Sequence, residues 1–334
     1  MKGFPLRLLR KLLAGIVMIW VVATFTFFLV RLIPGDPAKA QVETLIQQGY
    51  SQEQAQAAAG NMYGFIPTDP LPIQYKDYIF RLAHFDLGQS TFYATGEPVS
   101  HLIMAALPWT IFLVSMGILV TFAIGVVGGV VAAMKRNSWI GGAITLLGSI
   151  LHGIPQFMLA LVLVFIFYVR THVVGTLGPY DVEQVSPGAT LGYIGNLADH
   201  AVLPVAALAI SGFGFWALAM KSSVVTTLGD DFILASELRG IKPSIRFRYI
   251  ARNAFLPLFT VLAISLGFAF GGVIFIELIF VYPGIGKMLN DSVGQHDFPL
   301  MQACFLFITA AVIVSNILAD LLYAVIDPRI RTEK

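Results

Sequence analysis

The sequence has little charge for its length. Only 12% of its 334 residues are charged and 57% are hydrophobic, and its mean hydropathy is +0.79. Because soluble proteins carry roughly 25% charged residues, this composition excludes an ordinary soluble protein and indicates a protein of the lipid bilayer. The net charge of +2 is also too small to predict a nucleic-acid partner.

Cysteine is almost absent as well. The single cysteine, Cys304, cannot form a disulfide bond within the chain. It lies inside an apolar run, so we interpret it as a small core residue and not as a reactive thiol.

The residue patterns of catalysis and metal binding are also missing. The sequence contains no phosphate-binding loop, no His-Glu-x-x-His and no Gly-x-Ser-x-Gly. Its six histidines lack the spacing of a metal site. The apolar runs hold no acidic residue near their middle, and only His152 is a candidate there for ion-coupled transport. An enzyme is therefore not predicted, and a transporter of this kind would draw its energy from a partner.

What the sequence has instead is long apolar runs, each near or above the 20 or so residues that cross a bilayer. Six uncharged runs predict six transmembrane helices, with both termini on one side. The runs are Leu12–Val30, Leu102–Met134, Asn137–Val169, Ala201–Met220, Ala254–Ile276 and Phe298–Ala319. The first is too long for a signal-peptide core and no cleavage site follows it, so we interpret it as a retained anchor.

Basic residues set the expected orientation. With the N-terminus inside, 15 of the 21 lysines and arginines fall in inside segments, as the positive-inside rule requires. An acidic segment, 34–101, then lies outside. Within it, Ser51 and Gln54 form a capping-box pattern that predicts a short helix ending at Gly60, and "PTDPLP" predicts a rigid turn.

A basic segment, 221–253, lies inside and contains another short helix. Asp230 and Asp231 favour its start, Gly240 favours its end, and Pro243 favours the first turn of the next helix. Its apolar stripe, at positions i, i+4 and i+7, consists of Leu234, Leu238 and Ile241. Such a helix suits a groove on another protein. The alternative is that it lies on lipid headgroups.

This inside segment resembles a known family. "LASELRG" followed by "NAFLP" is similar to the EAA loop of ATP-binding-cassette (ABC) importer permeases. Ala235, Ser236 and Gly240 match its small-small-x-x-x-Gly core, and Leu256-Pro257 matches its Leu-Pro. Leu234 replaces the acidic first position. The spacing to Leu-Pro is longer than usual, and this longer form resembles the dipeptide and oligopeptide branch.

Further stretches resemble B-type subunits of oligopeptide permeases, in the same order along the chain. They are "RLIPGDPA", "DPLPIQYKDYIFRLAHFDLGQS", "TGEPVSHLIMAALPWT", "ELIFVYPGIGKMLNDSVGQHDFPLMQA" and "NILADLLYAVIDPRIR". Each is weak alone, but the five occur in order, and the match runs from about residue 29 to residue 331. The resemblance therefore extends over nearly the whole chain.

The resemblance implies an all-α membrane protein with the type I ABC importer permease fold. It implies three segments: an anchor helix at 1–33, an extracytoplasmic segment at 34–101, and a five-helix core at 102–334 with a coupling loop at 221–256. The expected partners are a homologous second permease subunit, two ABC ATPase subunits, an extracytoplasmic substrate-binding protein and the lipid bilayer. The chain itself is expected to bind no cofactor, because ATP and magnesium belong to the ATPases. The expected location is the bacterial or archaeal cytoplasmic membrane.

Two groups of site residues follow from the resemblance and from helix-breaking or polar positions in apolar runs. The coupling group, which would enter the ATPase groove, is Asp231, Leu234, Ala235, Ser236, Glu237, Leu238, Arg239 and Gly240. The translocation-path group is Ser149, His152, Pro155, Gln156, Glu277, Tyr282, Pro283, Gly284 and Gly286. Pro155 is expected to kink the third helix. Glu277 is expected to meet a substrate amine or the binding protein, and "YPGIG" is expected to form a rigid outer corner.

The expected function is a permease subunit of an ATP-driven importer of oligopeptides or dipeptides. The same machine carrying oligosaccharides, nickel or opines remains an alternative, because the binding protein selects the cargo. A stand-alone carrier or channel is a further alternative, which the coupling-helix pattern disfavours.

Overall fold

The computed structural model describes residues 3–32, 37–173 and 176–326, and these residues form thirteen α-helices. The helices are α1 (Gly3–Arg31), α2 (Pro37–Gln47), α3 (Gln52–Tyr63), α4 (Leu71–Ala83), α5 (Val99–Met134), α6 (Trp139–Gly153), α7 (Gln156–Val164), α8 (Leu191–Leu228), α9 (Asp231–Leu238), α10 (Pro243–Gly272), α11 (Ile274–Ile279), α12 (Ile285–Gly294) and α13 (Phe298–Ile326). A π-helical stretch, Phe165–Arg170, continues α7. The motif residues 33–36 and 327–331 lie outside the described part.

Among the described residues, four helices are long and apolar enough to cross a membrane: α1, α5, α8 and α13. The pair formed by α6 and α7 with its π-helical stretch makes a fifth candidate if it is one span. The predicted run Ala254–Ile276 is divided between α10 and α11. The structure thus contains an all-helical membrane protein with four or five candidate spans.

The third apolar run differs from its prediction, because it is broken and not merely kinked. Helix α6 ends at Gly153, and the chain turns by 95° before α7 begins at Gln156. Ile154 has extended backbone angles (φ −90°, ψ 123°). A residue that precedes proline is disfavoured in the helical region, and Pro155 has no N–H to continue the helical ladder.

The chain divides into two compact units. The first combines residues 1–110 with 283–313, and the second combines 111–282 with 314–334. The boundaries of these units, which reflect packing, differ from those of the three predicted segments. The predicted segments describe sides of the membrane, and they stay a prediction.

An aromatic cluster forms the core of the first unit. The ring of Phe27 lies 5.5 Å from Phe65, 5.5 Å from Tyr75 and 5.2 Å from Tyr78, centroid to centroid. Burial raises the pKa of Tyr78 to about 12. Cys304 is buried in the same core, as predicted. Helices α3 and α4 are therefore packed on α1 by large apolar surfaces.

Helix α3 has the predicted start but a later end. The Ser51 side chain accepts from the N–H of Gln54, and the Gln54 side chain accepts from the N–H of Ser51, which completes the capping box. The helix passes through Gly60 and ends at Tyr63, where Gly64 takes a left-handed φ of +77°. The prediction of an end at Gly60 was wrong, because Gly64 supplies the left-handed cap.

Close helix contacts at glycine organise the second unit. A Cβ on Gly125 or Gly129 of α5 would overlap atoms of Trp216 or Ala217 on α8. A Cβ on Gly214 of α8 would overlap the carbonyl oxygen of Gly148 on α6. Small residues allow close backbone approach between membrane helices, so α5 and α6 are both held tightly against α8.

Candidate functional site

The short helix α9 forms at the predicted place. Asp230, in extended backbone, precedes its first residue. At its other end Gly240 has a left-handed φ of +69°, and its N–H donates to the carbonyl of Glu237 at 2.9 Å. The N–H of Ile241 donates to the carbonyl of Ser236 at 3.1 Å. These two bonds form a Schellman motif, so the glycine ends the helix for the predicted reason.

One face of α9 is anchored in the second unit. Ile233 is buried in a cluster with Met220, Val224 and Ile250. Ser236 is also buried, and its hydroxyl donates to the carbonyl of Ile233 at 2.7 Å. Of the predicted coupling residues, Ser236 therefore faces inward.

The opposite face of α9 is exposed and partly apolar. Leu234 is 58% exposed and Leu238 is 81% exposed. Phe232, which the sequence analysis did not select, is also exposed on this helix. Ile241 is only half-buried and follows the helix. The other predicted coupling residues are also exposed: Asp231, Ala235, Glu237, Arg239 and Gly240.

An ion pair fixes α9 to the start of α10. Arg246 Nη1 lies 3.0 Å from Glu237 Oε1, and the arginine side chain is largely shielded from solvent. Arg246 is one of the basic residues of the segment 221–253. Its contact with Glu237 gives it a structural role in holding α9.

Four of the predicted path residues lie together at the bend between α6 and α7. Ser149 and His152 are exposed on α6, and the Ser149 hydroxyl donates to the carbonyl of Thr145 at 2.9 Å. Pro155 and the half-buried Gln156 occupy the turn and the start of α7. The bend thus places polar side chains and irregular backbone within an otherwise apolar pair of helices.

Glu277 is not presented to solvent in this conformation. It lies in the short helix α11 and is fully buried. Its backbone carbonyl accepts from the N–H of Tyr282 at 2.9 Å, across a turn in which Val281 has a left-handed φ of +58°. The expected contact of Glu277 with a substrate amine or a binding protein stays a prediction, and it would require this helix to open.

The expected corner at "YPGIG" is shorter than predicted. Tyr282 is buried and Pro283 is exposed. Gly284 then caps α12, so Ile285 and the buried Gly286 already belong to a helix. The Ile285 N–H donates to Thr110 Oγ1 at 2.9 Å, which fixes the start of α12 in the first unit.

A buried carboxylate that the sequence analysis did not select also organises the first unit. Asp297 is fully buried, and its Oδ2 accepts from the Ser90 hydroxyl at 2.5 Å. Three successive backbone N–H groups donate to the same oxygen at 3.0 Å each: Thr91, Phe92 and Tyr93. Oδ1 accepts from the N–H of Leu300 at 3.3 Å, in the first turn of α13. The stretches that contain Ser90 and Asp297 are both among those that resemble oligopeptide permeases. An aspartate directly before Phe-Pro is a helix-cap signal, and this signal could have drawn attention to Asp297.

Two curated relatives match almost the whole chain. A putative peptide permease protein of Brucella suis biovar 1 is 32% identical over 97% of this chain and 98% of its own length. The oligopeptide transport system permease protein AppB of Bacillus subtilis is 30% identical over the same shares. In a solved structure described as an amino acid ABC transporter with histidines, 94% of one chain aligns with 67% of this chain at 16% identity and a TM-score of 0.49.

The family match covers the helices that carry both candidate sites. Residues 125–332 match the family described as "Binding-protein-dependent transport system inner membrane component". This range includes the α6–α7 bend and the exposed helix α9. The chain therefore belongs to the family of inner-membrane components of binding-protein-dependent transport systems.

Proposed function

We propose that this chain is the permease subunit of an ATP-driven importer of peptides. It forms half of a translocation path with a homologous second subunit, and two ATPase subunits drive it from the cytoplasm. Six membrane spans, with α10 as the fifth, place both termini in the cytoplasm. The observation that carries this proposal is the exposed helix α9, anchored through Ile233, in a chain whose relatives are named peptide permeases over 97% of its length.

The geometry of α9 suits a coupling role. Two exposed leucines, Leu234 and Leu238, offer an apolar surface to a groove on an ATPase. Ile233 and the ion pair between Glu237 and Arg246 hold the same helix on α8 and α10. A pull on α9 would therefore move these helices as one body, which is what a switch between outward-open and inward-open states requires.

The α6–α7 bend supplies the proposed path. Polar side chains that are exposed or half-buried inside apolar helices are costly against lipid. Ser149, His152 and Gln156 are therefore expected to face water or the second permease subunit. Tyr282, Pro283, Gly284 and Gly286 belong to the outer end of the path in this proposal.

The extracytoplasmic segment is proposed to receive the binding protein. Deleting residues 34–101 would not test this, because α3 and α4 complete the core around Phe27. A surface change is a better test. Phe85 is 88% exposed and has a left-handed φ of +59°. Phe85→Asp should weaken delivery of peptide by the binding protein while leaving membrane insertion intact, and unchanged delivery would argue against contact at this position.

Uptake measurements test the proposed cargo. Matched cells with and without this chain would be offered a labelled pentapeptide and a labelled cello-oligosaccharide, with and without ATP depletion. Loss of ATP-dependent peptide uptake alone supports the proposal. Loss of sugar uptake alone would indicate the same kind of ATP-driven importer with an oligosaccharide as its cargo. Uptake that needs the chain but survives ATP depletion would favour a stand-alone carrier or channel.

A further inference from the structure

Lys221 is the first charged residue after the apolar run Ala201–Met220, and it belongs to helix α8. Its side chain is half-buried, and its Nζ donates to the hydroxyl of Thr145 on α6 at 2.8 Å. Within the described part of the chain, no carboxylate forms an ion pair with it. A partly buried ammonium group is stabilised by an anionic partner.

The position of the amine argues against a lysine that merely reaches for the membrane surface. Lys221 is seven residues from the end of α8, which is about 10 Å along a helix. Thr145 is six residues from the start of α6, which is about 9 Å. The amine is held against Thr145 on the neighbouring helix α6, whereas a snorkelling lysine extends freely toward the headgroups.

Lys221 also meets the polar stripe of the proposed path. Thr145, Ser149 and His152 occupy positions i, i+4 and i+7 on α6 and share one face. The Thr145 hydroxyl donates its hydrogen to the carbonyl of Gly141 at 2.6 Å. Its oxygen therefore accepts the hydrogen bond from Lys221. A lysine ammonium has three donors, and the contact with Thr145 uses one of them. Two donors remain for a ligand.

We infer that Lys221 binds carboxylate groups of the cargo as they pass the cytoplasmic half of the path. This inference rests on the proposed function. Every unmodified peptide carries a terminal carboxylate, and acidic residues add more. A charge-assisted hydrogen bond between ammonium and carboxylate is about twice as strong as a neutral one. It would also offset the charge that Lys221 brings into an apolar region.

The test uses the complete importer in proteoliposomes with saturating binding protein. The cargo is a pentapeptide with a central glutamate and a free terminus, compared with its glutamine, C-terminally amidated counterpart. Lys221→Gln should lower uptake of the carboxylate peptide about tenfold relative to the amide peptide. Lys221→Arg should preserve the ratio between the two peptides. Lys135→Gln is the control, because Lys135 is an exposed cation at the loop between α5 and α6.

Each outcome decides one question. An unchanged ratio in Lys221→Gln, or an equal loss for both peptides, would overturn the inference and leave Lys221 a structural role. A loss that depends on anionic lipid in the vesicle would assign Lys221 to a headgroup instead. If Lys221→Gln does not assemble, Thr145→Val removes the acceptor that positions the amine and should lower the same ratio; an unchanged ratio there would also overturn the inference. Absence of peptide uptake by the unmodified importer would contradict the proposed function itself.

Discussion

The hydroxyl of Ser90 donates to Oδ2 of Asp297 at 2.5 Å, although the two residues are 207 positions apart in the sequence. The same oxygen accepts three backbone N–H groups of the loop that follows Ser90. A buried carboxylate is stable only when its acceptor sites are filled in this way. This contact fixes the loop before α5 to the first turn of α13.

Removal of the carboxylate should destabilise the first unit strongly. Asp297→Ala would leave the Ser90 hydroxyl, one buried N–H group and two partly buried N–H groups without their acceptor, at about 1–3 kcal/mol for each buried group. We expect a loss of several kcal/mol, seen as a lower unfolding temperature and faster proteolysis of residues 86–98. Asp291→Ala is the control. It breaks a partly exposed ion pair with Lys287 and should cost about 1 kcal/mol or less. Equal effects of the two variants would contradict the structural role of Asp297.

Two glycines of the loop before α5 allow the cost of an unfavourable backbone conformation to be distinguished from the cost of steric overlap. Gly88 and Gly96 both have left-handed backbone, with φ of +79° and +84°. A Cβ on Gly88 would overlap the carbonyl oxygen of Met62, whereas a Cβ on Gly96 would meet no atom within 4 Å. Gly96→Ala should cost about 1–2 kcal/mol for its conformation alone. Gly88→Ala should cost clearly more in thermal unfolding, and a similar cost for both would show that the loop relaxes around the added methyl group.

Helix α9 should be required for retention of the ATPase. Leu238→Asp places a charge on its most exposed apolar position, which is 81% exposed, and should abolish co-purification of an ATPase subunit because apolar burial is lost. Gly240→Asp should also weaken co-purification, because it strains the left-handed turn that ends the helix. The matched control is Leu191→Asp, a leucine 90% exposed at the start of α8. Full retention of the ATPase by Leu238→Asp would remove α9 from the interface.

The close contact of α6 with α8 should require that residue 214 has no side chain. Gly214→Ala would push a methyl group into the carbonyl of Gly148 and should separate the two helices, with loss of transport and a lower unfolding temperature. Gly142→Ala, on α6, meets no atom within 4 Å and should leave transport unchanged. Normal transport by Gly214→Ala would show that the close approach is not needed for the path.

The local signals in the sequence were sufficient for the start of α3 and for both ends of α9. The capping box at Ser51 and the glycine at position 240 each act within a few residues, so the chain itself specifies these ends. Apolar runs likewise indicated the membrane helices, because the bilayer requires a minimum apolar length. The sequence located the break at Pro155 correctly but predicted only a kink, and the observed bend is 95°. The angle of a bend depends on what the two segments pack against.

By itself, therefore, the sequence determined the membrane class, the apolar runs and the family motifs, since these depend on composition and on neighbours along the chain. Only the tertiary structure decided which distant residues meet. It buried Glu277, paired Asp297 with the loop at Ser90, and brought Lys221 to Thr145. Such contacts join residues far apart in the chain, and they form because a buried charge or donor must find a partner wherever the packed helices supply one.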